Sequence, residues 1–236
     1  MGAGVNIMEG LGKVSVIVPT LNEAGLIEAA IGQLERSSQE GLEVIVSDGG
    51  SSDSTVTLAE GCGARVITGS AGRGGQMDRA ASLADGEVLL FLHADTLLPR
   101  GWRFSMERAL RDKAVVAGAF TLVIDSPSLW YRLVEYGARA RARHLGLIFG
   151  DQAIFVRKDV FLSIGGYRGL PLMEDVDCVK RLRRVGVVSL LGEFVLTSPR
   201  RWTSGGLIKN TLKNWLFLLL YGAGVTPARL YRWYYR

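Results

Sequence analysis

From Val14 onward the chain alternates short, wholly apolar runs with segments of helical period, and few architectures accept that pattern. VSVIVP, LEVIVSD, ARVIT and EVLLFLHAD are separated by EAGLIEAAIGQLER, DSTVTLAEG and GQMDRAASLAD. A sheet with one wet face would alternate apolar and polar residues; runs apolar throughout belong to parallel strands covered by helices on both faces. Parallel neighbours need right-handed crossovers, and the helical segments between the runs supply them. The expected fold is α/β: a doubly wound, mostly parallel sheet.

After Pro99 the rhythm loosens. WRFSMERALRD reads as a helix, AGAFTLVI as a strand, LWYRLVEYGARARARH as a basic helix and QAIFVRK as a strand. EDVDCVKRLRRVG sets Val176, Val179, Leu182 and Val185 at three-residue intervals, a helix with one buried stripe that Gly186 stops. No composition break marks a linker, so residues 1–236 are expected to form one domain with a mixed C-terminal half and C-terminal helices. The net charge of +5 divides unevenly: residues 1–99 hold 5 Lys/Arg and 13 Asp/Glu, residues 100–236 hold 23 and 10. With 48% hydrophobic residues, the chain is excluded from the disordered class.

Cys62 and Cys178 have no C-x-x-C spacing, which argues against a disulfide framework or a zinc ribbon and for a reducing cytoplasm. MGAGVNIMEGLGK lacks the basic and apolar regions of an export signal. The longest apolar run, Trp215 to Val225, is shorter than the roughly 20 residues that span a bilayer.

In open α/β sheets ligands sit beyond the carboxyl ends of the strands. Pro19, Asn22 and Glu23 follow the first run, Asp48 ends the second, Arg73 follows the third, and His93, Ala94 and Asp95 follow the fourth. Asn22 and Glu23 also read as a helix N-cap and a first-turn acid. The first turn, P-T-L-N-E, is not G-x-G-x-x-G, and no P-loop is present, so neither dinucleotide nor P-loop chemistry is expected. GSAGRGG reads as a flexible turn from which Arg73 could reach a phosphate.

VSVIVPTLNEAGLIEAAI, VIVSDGGSSDST, FLHADT, GDQAIFVRKDVFLSIGGY and EDVDCVKRLRRVG, in this order and spacing, resemble the family 2 nucleotide-sugar glycosyltransferases of GT-A fold, from about Val14 to Gly186. The resemblance implies an inverting transfer of a sugar from a nucleoside diphosphate sugar, a UDP-sugar first, to an acceptor hydroxyl. It divides the chain into a nucleotide-binding half (14–99), an acceptor and catalytic half (100–206) and a helical segment (207–236) that either faces a membrane or folds back on the core. Asp48 would read the base, its carboxylate accepting an N–H, with Pro19 and Glu23 lining the same pocket. The family's D-x-D is here His93-Ala94-Asp95, which leaves Asp95 as the ligand of Mn²⁺ or Mg²⁺, the imidazole tilting the choice towards Mn²⁺. His93 is left between ribose contact, second metal ligand and packing. Asp175 would be the general base, oriented by Glu174; Asp177 is structural on this reading. Asp151 falls where relatives hold donor sugar or acceptor. SPRRW has Ser198 where processive members carry Gln, so Arg201 and Trp202 are candidates for diphosphate and sugar contact without polymer synthesis.

The basic, aromatic C-terminal stretch, with ARARARH adding charge, points to an anionic or lipid-linked acceptor or an anionic membrane surface at the inner face, and no nucleic-acid reader motif accompanies it. Two other functions share these residues: a metal-dependent nucleotidyltransferase, and a catalytically weak module that binds a nucleotide sugar.

Overall fold

A computed structural model describes residues 12–35, 41–200 and 206–234. The strands are β1 (Val14–Thr20), β2 (Leu42–Asp48), β3 (Arg65–Thr68), β4 (Val88–Phe91), β5 (Thr96–Leu97), β6 (Val115–Ile124), β7 (Ile154–Arg157) and β8 (Val187–Thr197). The helices are α1 (Ala24–Glu35), α2 (Thr55–Gly61), α3 (Arg73–Leu83), α4 (Trp102–Leu110), α5 (Leu129–Ala140), α6 (Lys158–Ser163), α7 (Glu174–Leu182), α8 (Leu207–Gly222) and α9 (Pro227–Tyr234). All eight strands form one sheet, in the order β3-β2-β1-β4-β7-β6-β8-β5.

The first four strands in that order are parallel, as their apolar runs require. Val14, Val16 and Val18 of β1 face α1 and α4 through Ile27, Ile31, Leu34 and Met106. Ile17 faces the other way, onto Met77, Ala80 and Ala81 of α3. The doubly wound, mixed α/β architecture is the expected one.

β7 runs antiparallel between β4 and β6, with Ile154 opposite Phe91. Its direction brings the turn that precedes it, Gly150–Gln152, to the carboxyl end of β4, so the second half of the chain reaches the ligand edge of the first.

One strand has no counterpart in the sequence reading, and two expected helices change their extent. β8, the longest strand, carries no continuous apolar run: its burial alternates irregularly, Gly192 and Glu193 interrupt it, and its register against β6 shifts twice. α7 ends at Leu182, so Val185 lies beyond the buried stripe and is 53% exposed. The basic helix ends at Ala140 and continues as a single π-helical turn, Arg141–Leu145. At the C-terminus α9 folds back on α8, where Leu230 and Phe217 are buried with Leu172. Among the described residues no helix is long and apolar enough to cross a membrane.

The tightest approach in the sheet is at Gly118 of β6. A Cβ there would lie 2.3 Å from the Phe155 ring and 2.7 Å from the Ser189 carbonyl oxygen. The ring could turn; the β8 backbone could not. Gly118→Ala is expected to cost about 1–3 kcal/mol, read as a lowered urea midpoint with an unchanged slope; an unchanged midpoint would contradict this packing.

Candidate active site

The carboxyl edge of β1 and β2 is fastened from within. The buried Gln76 amide donates to the Thr20 and Ser47 carbonyl oxygens at 2.7 and 2.8 Å, and its Oε1 accepts from the Gly72 N–H. Within GSAGRGG, Gly69 to Gly72 form an exposed turn, as expected, whose end is held by Gln76, and Arg73, Gly74 and Gly75 open α3. Asp48, 1% exposed, closes the next turn. One carboxylate oxygen accepts from the Thr20 and Ser51 hydroxyls, the other from the Gly50 and Ser51 N–H groups. Burial pushes its pKa up, but these bonds, those from Ser51 foremost, outweigh burial and hold it below its ordinary value.

Asn22 is not the N-cap of α1. Its backbone is left-handed (φ 55°), and its side-chain oxygen accepts from the Ser52 N–H. The first helical bonds go to the Glu23 carbonyl, and the Thr55 hydroxyl and Asp53 carboxylate accept from the Glu23 and Ala24 N–H groups. The two turns at this edge are thus laced together, with the Pro19 backbone just behind them in β1.

Beyond β4, His93 and Ala94 are buried and Asp95 is partly open. Arg200 reaches both Asp95 (3.6 Å) and Glu23 (3.1 Å). At the start of α7, Glu174 pairs with Arg73 at 3.2 Å, while Asp175 accepts from the Gly150 N–H at 2.8 Å. A Cβ on Gly150 would lie 3.0 Å from His93 Nε2 and 3.7 Å from Asp175 Oδ2, so glycine lets the imidazole and the carboxylate share one space. Asp177 pairs with Arg181 and Arg168, the structural part expected of it. Rings of Phe91, Phe161 and Tyr167, with centroids 5.0–5.4 Å apart, tie the segment before α7 to β4.

A cavity of about 90 Å³ is lined by Arg73, His93, Asp151, Glu174 and Asp175. Pro19, Asn22, Glu23, Asp48, Ala94 and Asp95 occupy the adjoining edge and do not line it. Arg201 and Trp202 lie outside the described residues. Sequence reasoning missed two cations. Arg200 lies inside SPRRW, beside the candidate Arg201. Arg141, within ARARARH, is not surface charge: it is buried, stacks 3.4 Å from the Phe149 ring centre and lies in the field of Asp151 and Asp175. Burial lowers its pKa and the two carboxylates oppose that. Its helical phase relative to buried Ala138 and Ala142 was the available signal.

Among the described residues, no three His, Cys, Asp or Glu side chains converge as a metal cage. Mg²⁺ and Mn²⁺ beside a nucleotide are commonly held by one or two carboxylates together with phosphate oxygens and water. Asp95, partly open at the carboxyl edge, fits that mode.

The sequence profile described as "Glycosyl transferase family 2" matches residues 15–169. The chain belongs to glycosyl transferase family 2. Curated relatives include proteins named PGL/p-HBAD biosynthesis glycosyltransferase from Mycobacterium bovis and Mycobacterium tuberculosis, 36% identical over 91 residues. The match spans 36% of this chain and 36% of those relatives. Among solved structures, this family 2 chain resembles a mannosyltransferase from Pyrobaculum calidifontis in complex with GDP-Man and Mn²⁺ (TM-score 0.64, 20% identity, 79% of this chain and 56% of that one). It also resembles glucosyl-3-phosphoglycerate synthase from Mycobacterium tuberculosis, solved with Mn²⁺, UDP and glucosyl-3-phosphoglycerate (TM-score 0.56, 21% identity, 77% and 71%). These neighbours agree on the GT-A fold.

The Asp48 turn gives a pH prediction. A carboxyl whose folded-state pKa lies below its ordinary 3.8 contributes stability that is complete above that value and is lost as pH falls through the lower, folded-state pKa. Asp48→Asn in this family 2 chain is expected to cost about 1.5–3 kcal/mol at pH 7. Urea unfolding at several pH values should find that difference intact at pH 5 and shrinking only below about pH 4.

Proposed function

We propose that this chain is an inverting glycosyltransferase that moves a sugar from a nucleoside diphosphate donor, in the first instance a UDP-sugar, to an acceptor hydroxyl. The observation that carries the reading is the convergence of Asp175, Glu174, His93 and Arg73 on one cavity beside the edge formed by β1, β2 and β4. Neighbours of the same fold solved with GDP-Man and Mn²⁺, or with UDP and Mn²⁺, support the donor class.

In a single displacement the acceptor oxygen bonds to the anomeric carbon as the carbon–oxygen bond to the diphosphate breaks. The bonding electrons leave with the diphosphate, and the hydroxyl proton passes to Asp175. The Gly150 N–H holds one oxygen of that carboxylate in place, and the Glu174–Arg73 pair flanks it. Asp95 would hold Mn²⁺ or Mg²⁺, which supplies neutralisation of charge on the departing diphosphate. Arg200, poised between Asp95 and Glu23, is a second positive group at that place. Pro19, Asn22, Glu23 and Asp48 frame the nucleoside. Four internal donors already engage the Asp48 carboxylate, so its part in base recognition includes holding the turn.

Release of nucleoside diphosphate from UDP- and GDP-sugars, with Mn²⁺ or Mg²⁺ and acceptor mixtures, tests the reading. Asp175→Asn is expected to lower turnover by on the order of 10²–10⁴-fold while donor binding persists. Asp95→Ala should abolish the dependence on added metal. Turnover of Asp175→Asn equal to the wild type would remove the base assignment, and binding of every donor without turnover would favour the binding module.

A further inference from the structure

A second cavity, of about 480 Å³, lies between α5 and α8. Packed interiors leave few voids larger than a water molecule, whereas apolar cavities of several hundred Å³ with few polar groups are typical of ligand sites. Its walls are apolar: Trp130, Leu133 and Val134 from α5, Leu212, Trp215 and Leu218 from α8. Phe149, Asp151 and Asn214 line both this cavity and the one that holds Asp175, so the two adjoin across a shared wall.

The distribution of polar groups gives the space a direction. Arg141 and Asp151 are the charged residues among its walls. Both belong to the end shared with the catalytic cavity, where Arg141 lies in the field of Asp151 and Asp175. The Thr211 hydroxyl oxygen in the wall is buried without a hydrogen-bond partner among the described residues. The rim is open to water, with Leu133 65% and Leu212 64% exposed, and Leu129, one helical turn before Leu133 on α5, is 83% exposed. A molecule that fills the cavity has a polar head beside Asp175 and an apolar remainder leading away to the surface.

We infer that the acceptor is an amphiphile: its reacting hydroxyl stands at Asp175 and its apolar chain lies in the channel between α5 and α8. The inference rests on the assignment of Asp175 as the base. The donor does not fit the channel, because its diphosphate needs the cations and N–H groups of the β1, β2 and β4 edge, and no charged side chain follows the channel outward. Exposed apolar residues on α5 and α8 continue the channel at the surface, where a long chain would emerge.

The full chain, with UDP and Mn²⁺ present, is titrated with methyl, butyl, hexyl and octyl β-D-glucosides below their micellar concentrations, following the fluorescence of Trp130 and Trp215. Affinity is expected to rise about two- to fourfold per added methylene, fourfold being the limit of complete burial. The double variant Leu133→Glu/Leu212→Glu, both at exposed positions, should keep its thermal midpoint and its UDP affinity but lose the chain-length dependence. Equal affinity for methyl and octyl glucosides overturns the inference, as does undiminished octyl glucoside binding to the double variant. Sedimentation with phosphatidylglycerol vesicles in the absence of octyl glucoside binding would make the face a membrane contact and overturn it. A wild-type dimer that the double variant dissociates, again without octyl glucoside binding, would give the channel to a second copy and overturn it. Failure of the wild type to bind any nucleoside diphosphate would instead remove the glycosyltransferase reading, whereas intact UDP binding without chain-length dependence removes the amphiphile alone.

Discussion

Backbone carbonyls buried at the edge of a sheet must find donors, and at the carboxyl ends of β1 and β2 one side-chain amide supplies them. Gln76 bonds Thr20 and Ser47 from the first turns of α3, so the position of that helix and the shape of both turns are one arrangement. Gly49 is part of it: a Cβ there would lie 3.1 Å from the amide nitrogen. The Asp48 turn, the lacing of Asn22 to Ser52, and Arg73 at the head of α3 all follow from this fixed edge. The polar groups are held by the chain's own hydrogen bonds.

The parallel half of the sheet was legible because strands buried on both faces write themselves as uninterrupted apolar runs. β8 was not, because its two faces meet different neighbours along its length and bulges against β6 break the alternation. The cluster of polar residues at strand ends was legible for the same reason the strands were: the end of each apolar run marks the ligand edge. What the sequence concealed were contacts between distant segments. The cap of α1 comes from Asp53 and Thr55, not from its neighbour Asn22. Arg200 meets Glu23 across the whole chain, and Arg141 faces Asp151 and Asp175 from inside a run that looks like surface charge. Local patterns carry periodicity; they do not carry which solvent-like segment tertiary packing turns inward.

Backbone strain gathers at the same edge. Among the described residues, the non-glycine residues in the left-handed region are Asn22, Ala153 and Met173. Asn adopts that region with little penalty, but Ala153 and Met173 each cost about 1–3 kcal/mol. Ala153 follows the Gly150–Gln152 turn, and Met173 immediately precedes Glu174 and Asp175. The neighbouring packing of Tyr167 on Phe91 and Phe161, and of Leu172 among Phe217 and Leu230, offsets that strain. The acidic pair is therefore presented by a rigid backbone, and the helices at the C-terminus take part in holding it.

The closeness of α3 to α7 reaches into the chain's history. A Cβ on Gly74 would lie 3.3 Å from Cβ of Glu174 and 3.4 Å from the Arg168 carbonyl oxygen. The head of α3 and the acidic pair are a hundred residues apart in the gene, yet they meet at close to contact distance. A lineage that acquired a side chain at position 74 would need Glu174 to give way by a few tenths of an ångström. Change at the two positions is coupled, whatever sugar or acceptor the lineage adopts.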